Sequence, residues 1–341
     1  MPELRQDPTT KEWVVIATER ARRPYQFGRA VPEQNENGDR SACPLCEGNE
    51  SLTPAEVFAV RGGDPNGPGW RVRVIPNKFS AFVPNPLIRR NHDPVFHARE
   101  AYGHHEVIVE TPDHEKTLAS LSEDDILAVL DTYKARYEEL RREPRTKLIL
   151  IFRNHGKSAG TSLPHPHSQL VATPIIPLHI RQKYEVAIRH YDETGHCLYC
   201  DVLDAERRAA QRVVFESDAL TVFHPFASQV PFETWIVPRR HNPSFGNING
   251  REMKELASAL KRVLGGLHKG LNNPDYNLII HTAPVEDEHK PYFLWHVEIR
   301  PRLATAAGFE IGTGIYINTA IPEETAPFFR NLLLEARTAV R

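Results

Sequence analysis

The sequence predicts a mixed α+β fold made of two related halves with largely antiparallel sheets and flanking helices. Three observations predict it. A Cys-x-x-Cys pair occurs twice, as Cys43-Pro-Leu-Cys46 and Cys197-Leu-Tyr-Cys200, 154 positions apart. Each pair precedes the same order of features: strand, strand, a Pro-led turn ending in His, helix, strand, strand. The spacing is kept as well, since His114 to His165 is 51 residues and His241 to Leu294 is 53. Strands in meander order with one helix per half give an α+β class.

The elements follow in chain order. Val72 to Phe79 alternates apolar and polar residues and reads as a strand. Glu106 to Glu110 is a second, ending at Thr111-Pro-Asp-His114. Ser122 is placed to cap a helix, with Asp125 three residues on and Ile126, Val129, Leu130, Tyr133, Tyr137 and Leu140 at helical spacing. Lys147 to Phe152 and His165 to Ala172 are the closing strands. In the second half the strands are Leu220 to Phe223 and Thr234 to Val237, which leads into Pro238-Arg-Arg-His241. A helix carrying Leu256, Leu260, Val263, Leu264 and Leu267 on one face follows, then strands at Asn277 to His281 and Phe293 to Ile299. The boundary is expected in the Pro-punctuated, charged stretch Pro174 to Gly195, which gives domains 1–175 and 190–341. Segments 24–42 and 61–69, rich in Pro, Gly, Asn and Asp, read as loops.

Composition narrows the function. The 42 Lys and Arg against 44 Asp and Glu give a net charge of −2 over 341 residues, with 40% hydrophobic and 25% charged. That is too apolar for disorder and too balanced for a polybasic nucleic-acid binder. No run approaches the roughly 18 apolar residues of a membrane span, and Met1 to Asp7 lacks the apolar core of a secretion signal. Four Cys cannot staple a chain of this length, so the two pairs point to metal in a reducing compartment. The expectation is a cytoplasmic enzyme with no nucleic-acid or membrane partner.

Cys43, Cys46, His114 and His165 form the first candidate metal site, with the four N and S ligands that structural zinc takes. The rival is a redox pair, which belongs at a helix start, and Pro44 in a Pro- and Gly-rich loop does not supply one. The densest stretch runs from Phe152 through Arg-Asn-His-Gly-Lys-Ser-Ala-Gly-Thr-Ser-Leu-Pro-His-Pro-His-Ser to Gln169. Gly156 and Gly160 let backbone N–H groups approach an anion. On the strand beyond, His165, His167 and Gln169 share a face. A neutral His is a nucleophile and an amide beside it stabilises charge on a phosphoryl group, an arrangement that suits phosphoryl transfer. The alternative is two ligating His and a surface amide. Arg141-Arg142 and Arg239-Arg240 read as solvated faces, His104-His105 as surface residues, and Trp235 and Trp295 as core.

These motifs resemble the galactose-1-phosphate uridylyltransferase family, a branch of the histidine-triad superfamily built from two tandem histidine-triad-like half-domains. The resemblance rests on Arg5-Gln-Asp-Pro8, Trp13-Val-Val-Ile16, Glu19-Arg-Ala-Arg-Arg-Pro24, the first Cys pair and Pro76-Asn-Lys-Phe79. It continues through Thr111 to His114, Asn154 to Gln169, Pro231-Phe-Glu-Thr-Trp235 and Gly308-Phe-Glu-Ile-Gly-Thr-Gly314. It implies that His167 is the nucleophile accepting the nucleotidyl group and that Gln169 holds its phosphate. Asn154, Gly160 and Ser162 would line the phosphates, with Arg20, Arg23, Asn77 and Phe79 near the nucleotide. Glu310 falls on a sugar-binding position that the family often supplies from the partner of a homodimer. Zinc is implied at Cys43, Cys46, His114 and His165.

Three departures stand out. Leu294-Trp-His296 replaces a His-Trp-His, so a second metal site of Cys197, Cys200 and His241 needs His296, or less favourably His281, as its fourth ligand. Lys78 stands where some members carry an acid, and Ala304 to Ala307 lacks a Lys that some use toward the sugar phosphate. The expected reaction is exchange of UMP between UDP-glucose and galactose 1-phosphate through uridylyl-His167. The rivals are an ADP-sugar phosphorylase using the same His to move AMP to inorganic phosphate, and a non-catalytic nucleotide-binding protein.

Overall fold

The computed structural model of the protein describes residues 1–22, 42–86, 91–92 and 94–338. Arg23 and the expected loop at 24–42, except its last residue, lie outside them. The chain opens with β1 (Glu3–Gln6) and β2 (Trp13–Ile16). The first half adds β3 (Phe58–Arg61), β4 (Trp70–Pro76), the short pair β5 (Asn91–His92) and β6 (His97–Ala98), and β7 (His104–Val109). Helix α1 (Glu123–Leu140), β8 (Leu148–His155) and β9 (His167–Thr173) complete it. Helices α2 (Leu178–Thr194) and α3 (Leu198–Ala209) lead into β10 (Val213–Glu216), β11 (Leu220–Phe223) and β12 (Thr234–Pro238). Then come α4 (Gly250–Gly270), β13 (Tyr276–His281), β14 (His296–Pro301), α5 (Gly308–Thr313), β15 (Tyr316–Asn318) and α6 (Pro322–Thr338).

The helices start where the sequence supplies caps. Ser122 accepts the Asp125 N–H ahead of an acidic first turn on α1, and Asn249 with Glu252 forms a capping box on α4. Ten strands make one sheet in the order β10-β11-β12-β14-β13-β8-β9-β7-β4-β3. Outward from the β8–β13 seam, the orders β8-β9-β7-β4-β3 and β13-β14-β12-β11-β10 correspond strand for strand. Every pairing is antiparallel. The α1 helix falls between β7 and β8, and α4 between β12 and β13. The fold is the expected α+β class with two tandem halves. A separate three-stranded sheet joins β1, β2 and β15.

Strand alternation gives the large sheet two distinct faces. Ile149, Ile151, Leu170 and Ala172 of the first half and Leu278, Ile280, Val297 and Ile299 of the second share one apolar cluster with α1 and α4. The core is continuous across the seam. The opposite face carries His167, Gln169, Asn154, Asn277, His296 and Glu298. Over the second half that face is covered: Tyr184, Ala187, Leu198, Tyr199 and Leu203 of α2 and α3 pack with Phe223, Trp235, Val237 and Leu294. Over the first half the cover is smaller, formed by Cys43, Leu45, Cys46, Trp70, Ile75 and Val109. The stretch expected as an interdomain boundary is therefore mostly helix, because Tyr184 and Ala187 give its charged sequence a buried side.

Candidate active site and metal centres

Strand β9 begins at His167, which is 8% exposed. Its Nδ1 lies 2.8 Å from the carbonyl oxygen of His165. A carbonyl only accepts, so Nδ1 carries the proton and Nε2 keeps a free lone pair. Burial holds the ring below the ordinary histidine pKa, so it is neutral near pH 7. Behind it, the Ser168 hydroxyl points to the core side and bonds Glu110 and Tyr133. Glu110 in turn accepts from Arg153 Nε at 3.0 Å, both side chains buried. This buried network ties β9 to β7, β8 and α1 directly beneath His167.

Two amides flank His167 on its own face. Gln169, two residues on, has its Oε1 at 2.7 Å from His105 Nε2. The Ala81 N–H approaches His105 Nδ1 at 3.3 Å and Asn77 Nδ2 lies 3.1 Å from Nε2, so the ring bridges Asn77 and Gln169. Gln169 Oε1 faces this ring and its NH2 group faces away from it. His105, read from sequence as a surface residue, is thus part of the site. A two-residue His run carries no local signal of this; the β7–β9 register does, placing His105 diagonal to Gln169. The Oδ1 of Asn77 accepts the Phe79 N–H at 2.9 Å.

Asn154 is the second amide. Phe152 pairs with Gln169 across β8 and β9, so Asn154 comes level with His167. The loop between these strands turns at Gly156 (φ +83) and Gly160 (φ +95), backbone conformations that favour glycine. Thr161 Oγ1 bonds the Asn154 carbonyl at 3.0 Å and draws the loop back toward the strand. Ser162 is exposed at its end. Phe79 is 87% exposed beyond Asn77. Arg20 lies in a single turn after β2, and Glu310 caps α5 by accepting the Ala307 N–H at 3.0 Å. Neither is joined to the His167 group by a hydrogen bond among the described residues.

The first Cys pair meets both histidines expected with it. The donor atoms of Cys43, Cys46, His114 and His165 all lie within 4.8 Å of one another. Cys46 Sγ is 3.2 Å from His114 Nδ1 and 3.5 Å from His165 Nδ1, and the two Nδ1 atoms are 3.3 Å apart. A tetrahedral ion with bonds of about 2.0–2.3 Å sets its ligands roughly 3.3–3.8 Å apart, so the spacing fits. His165 Nε2 donates to the Thr111 carbonyl at 2.8 Å, which leaves Nδ1 as a lone pair facing the other donors. Lone pairs converging in a buried place call for a cation.

The second cluster holds three donors, Cys197, Cys200 and His241, again within 4.8 Å. Cys200 Sγ is 3.3 Å from His241 Nδ1. Unlike the first pair, this one opens a helix, with Cys197 as the N-cap of α3. His296 does not join the three, contrary to expectation. The repeat puts Leu294 in the place of His165 and His296 in the place of His167. His296 Nδ1 donates to the Leu294 carbonyl at 3.0 Å, just as His167 donates to His165. Its ring is stacked on Trp235 (4.6 Å) and on His281 (4.7 Å). His281 is also outside the cluster, since its Nε2 bonds Glu298 at 2.7 Å.

No helix among the described residues is long and apolar enough to cross a membrane. A family model described as galactose-1-phosphate uridyl transferase, N-terminal domain, matches residues 1–177, and one described as a domain of unknown function (DUF4921) matches 102–341. The chain is 36% identical to ADP-glucose phosphorylase of Arabidopsis thaliana over 98% of its own length and 93% of that protein. It is 31% identical to galactose-1-phosphate uridylyltransferase of Thermotoga maritima, over 98% and 100%. Among solved structures it matches the Arabidopsis ADP-glucose phosphorylase with bound ADP-glucose at a TM-score of 0.82 and 33% identity, covering 97% of this chain and 98% of that one. A uridylyltransferase structure matches at 0.76 and 28%, covering 98% and 99%.

Proposed function

The chain belongs to the galactose-1-phosphate uridylyltransferase family, and we propose that it transfers a nucleotidyl group from a nucleotide sugar to a phosphate acceptor through His167. One observation carries this reading. His167 is buried and neutral, with Nδ1–H anchored and Nε2 free between two amides and a Gly-turned loop. In the first step the Nε2 lone pair attacks the α-phosphorus. The bond from that phosphorus to the bridging oxygen breaks, and its electron pair leaves with the sugar 1-phosphate. In the second step an acceptor phosphate oxygen attacks the same phosphorus, and the P–N bond returns its pair to Nε2. The ring is cationic while nucleotidylated, and the Nδ1–H bond to the His165 carbonyl strengthens as that charge develops. Gln169 and Asn154 would donate to the phosphoryl oxygens, with Gly160 and Ser162 beside them. Arg20, Arg23, Asn77 and Phe79 are assigned to the nucleotide side.

Cys43, Cys46, His114 and His165 would hold zinc. Its part when bound is to fix His165, whose carbonyl anchors the nucleophile. Cys197, Cys200 and His241 would hold a second metal with one protein ligand fewer. The protein is proposed to act as a homodimer, each subunit giving Glu310 to the partner's sugar site, with 1–175 and 190–341 as its two units.

Uridylyl exchange between UDP-glucose and galactose 1-phosphate is supported by the family model and by the relatives that carry that name. Adenylyl transfer from an ADP-sugar to phosphate is supported by the 36% identity and the 0.82 TM-score to ADP-glucose phosphorylase. Assaying both donor–acceptor pairs with the protein and with His167→Ala separates them. The variant is expected to melt near the parent and to lose transfer entirely, and near-normal turnover by it would refute the nucleophile.

A further inference from the structure

The second half reaches into the site at the loop and at Asn154. Asp275, just before β13, accepts from the Ser158 N–H and from its hydroxyl, both at 2.6 Å. A Cβ on Gly156 would stand 1.7 Å from Asp275 Oδ1, so the loop closes onto this carboxylate without room to spare. Beside it, Asn277 is the cross-strand partner of Asn154 at the β8–β13 seam. Arg302 follows the end of β14, and its N–H bonds the Asp275 carbonyl at 2.7 Å.

Two independent contacts fix which way the Asn277 amide points. A guanidinium has donors only, and Arg302 Nε lies 2.6 Å from Asn277 Oδ1. A carbonyl oxygen only accepts, and Asn277 Nδ2 lies 2.9 Å from the Ala159 oxygen. The same Nδ2 donates to Asn154 Oδ1 at 2.8 Å. With Oδ1 occupied, Asn154 presents its NH2 group elsewhere. A Cβ on Gly160 would sit 3.8 Å from that nitrogen, so the loop side of Asn154 Nδ2 is left uncrowded by the glycine.

We propose that Arg302 and Asn277 of the second half are positioning residues for the phosphate site. Arg302 sets the Asn277 amide, which sets Asn154 as a donor beside His167. This rests on the nucleotidyl-transfer reading above. It assigns the second half a part in the chemistry although its own histidine is covered.

The relay is tested by the order of two variants. In Asn277→Asp the carboxylate gives up the bond to Ala159 but accepts from Arg302 and also from Asn154, so Asn154 turns its oxygen toward the phosphates. In Asn277→Ala the Asn154 amide is merely released. The near-isosteric Asp variant should therefore lose kcat by about tenfold more than the Ala variant, at matched melting temperatures. A purely structural role reverses that order, and Ala at or below Asp overturns the proposal. In an Asn154→Ala background the two should agree within about twofold, by the logic of a mutant cycle. An Asp penalty that persists there assigns the effect to charge and also overturns it. Should Asn277→Ala fail to fold, Arg302→Met at the exposed end serves, with an expected loss of about threefold because Ala159 still holds Asn277. Calorimetric titration with UDP and with ADP gives the same order as weakened binding, without turnover. A protein that binds a diphosphate but takes no covalent label refutes the His167 reading and leaves the relay to be judged by the binding order. A protein that neither binds nor labels overturns both.

Discussion

His167 and His296 hold the same place in the two halves, and each donates Nδ1–H to the carbonyl two residues back, of His165 and of Leu294. What differs is what packs around the ring. Trp235, Tyr199 and His281 stack against His296, whereas amides and a loop surround His167. The neighbours of a histidine, more than its anchoring, decide whether it can attack. His105 is such a neighbour, and His105→Leu should lower the transfer rate roughly tenfold, less than the about 10²-fold loss of an oxyanion donor itself. Unchanged kcat in that variant would show that Gln169 is held by something else. Elsewhere a buried histidine carries a stability cost in acid. His224 is fully buried, with Nδ1 2.8 Å from Thr325 Oγ1, and burial pushes its pKa down to about 3 from 6.5. Between those values the unfolded chain binds the proton and the fold does not, so stability rises with pH and is lost as pH falls from 6.5 toward 3. His224→Gln should flatten that limb by up to one proton in urea titrations from pH 7 to 4. An unchanged slope would mean that His224 is protonated in the fold.

At the scale of elements, the metal clusters show how far a repeat can be read. The repeat correctly places Leu294 opposite His165, and the structure puts Leu294 in the apolar cluster of α2 and α3. It follows that the second cluster is one ligand short, and gentle chelation should empty it first with activity retained. Leu294→His should make that metal harder to strip; a folded variant with unchanged retention would show that position 294 does not face the cluster. The same repeat places His296 opposite His167, so its role as fourth ligand conflicted with the register that suggested it. The central strands β7, β8, β9, β12 and β13 were legible as short aliphatic and β-branched runs bounded by turn residues; β13 alternates in burial, whereas β12 is buried throughout. The edge strands β3 and β10 were not: each has four residues and is covered less completely. Helices α2 and α3 escaped notice because they bury only narrow sides, Tyr184 and Ala187 in α2. Of the site, the Gly-rich loop and the His-Pro-His-x-Gln run were visible locally. His105 and Asn277 were not, since only strand pairing brings them there.

Across the whole molecule, the two matching halves share one continuous core and present two unequal faces. The helices α1 and α4 sit on one side of the ten-stranded sheet, and the other side is packed shut over the second half and less completely covered over the first, where Asn154 and Gln169 beside His167 are part-exposed. The seam lets the covered half serve the other, through Asp275, Asn277 and Arg302. Because the core crosses the seam, loss of the metal at Cys43, Cys46, His114 and His165 should lower the melting temperature of the molecule as a single transition, with activity lost alongside. Two separated transitions would contradict a shared core. The central claim is that a nucleotidyl group resides on His167 between two displacements. Incubation with UDP-glucose or ADP-glucose without acceptor, followed by alkaline digestion and peptide mass analysis, tests it most directly. One nucleotidyl group on the peptide containing His167, discharged by the matching acceptor, is the predicted result. Transfer with no adduct there, or an adduct on another residue, would contradict it.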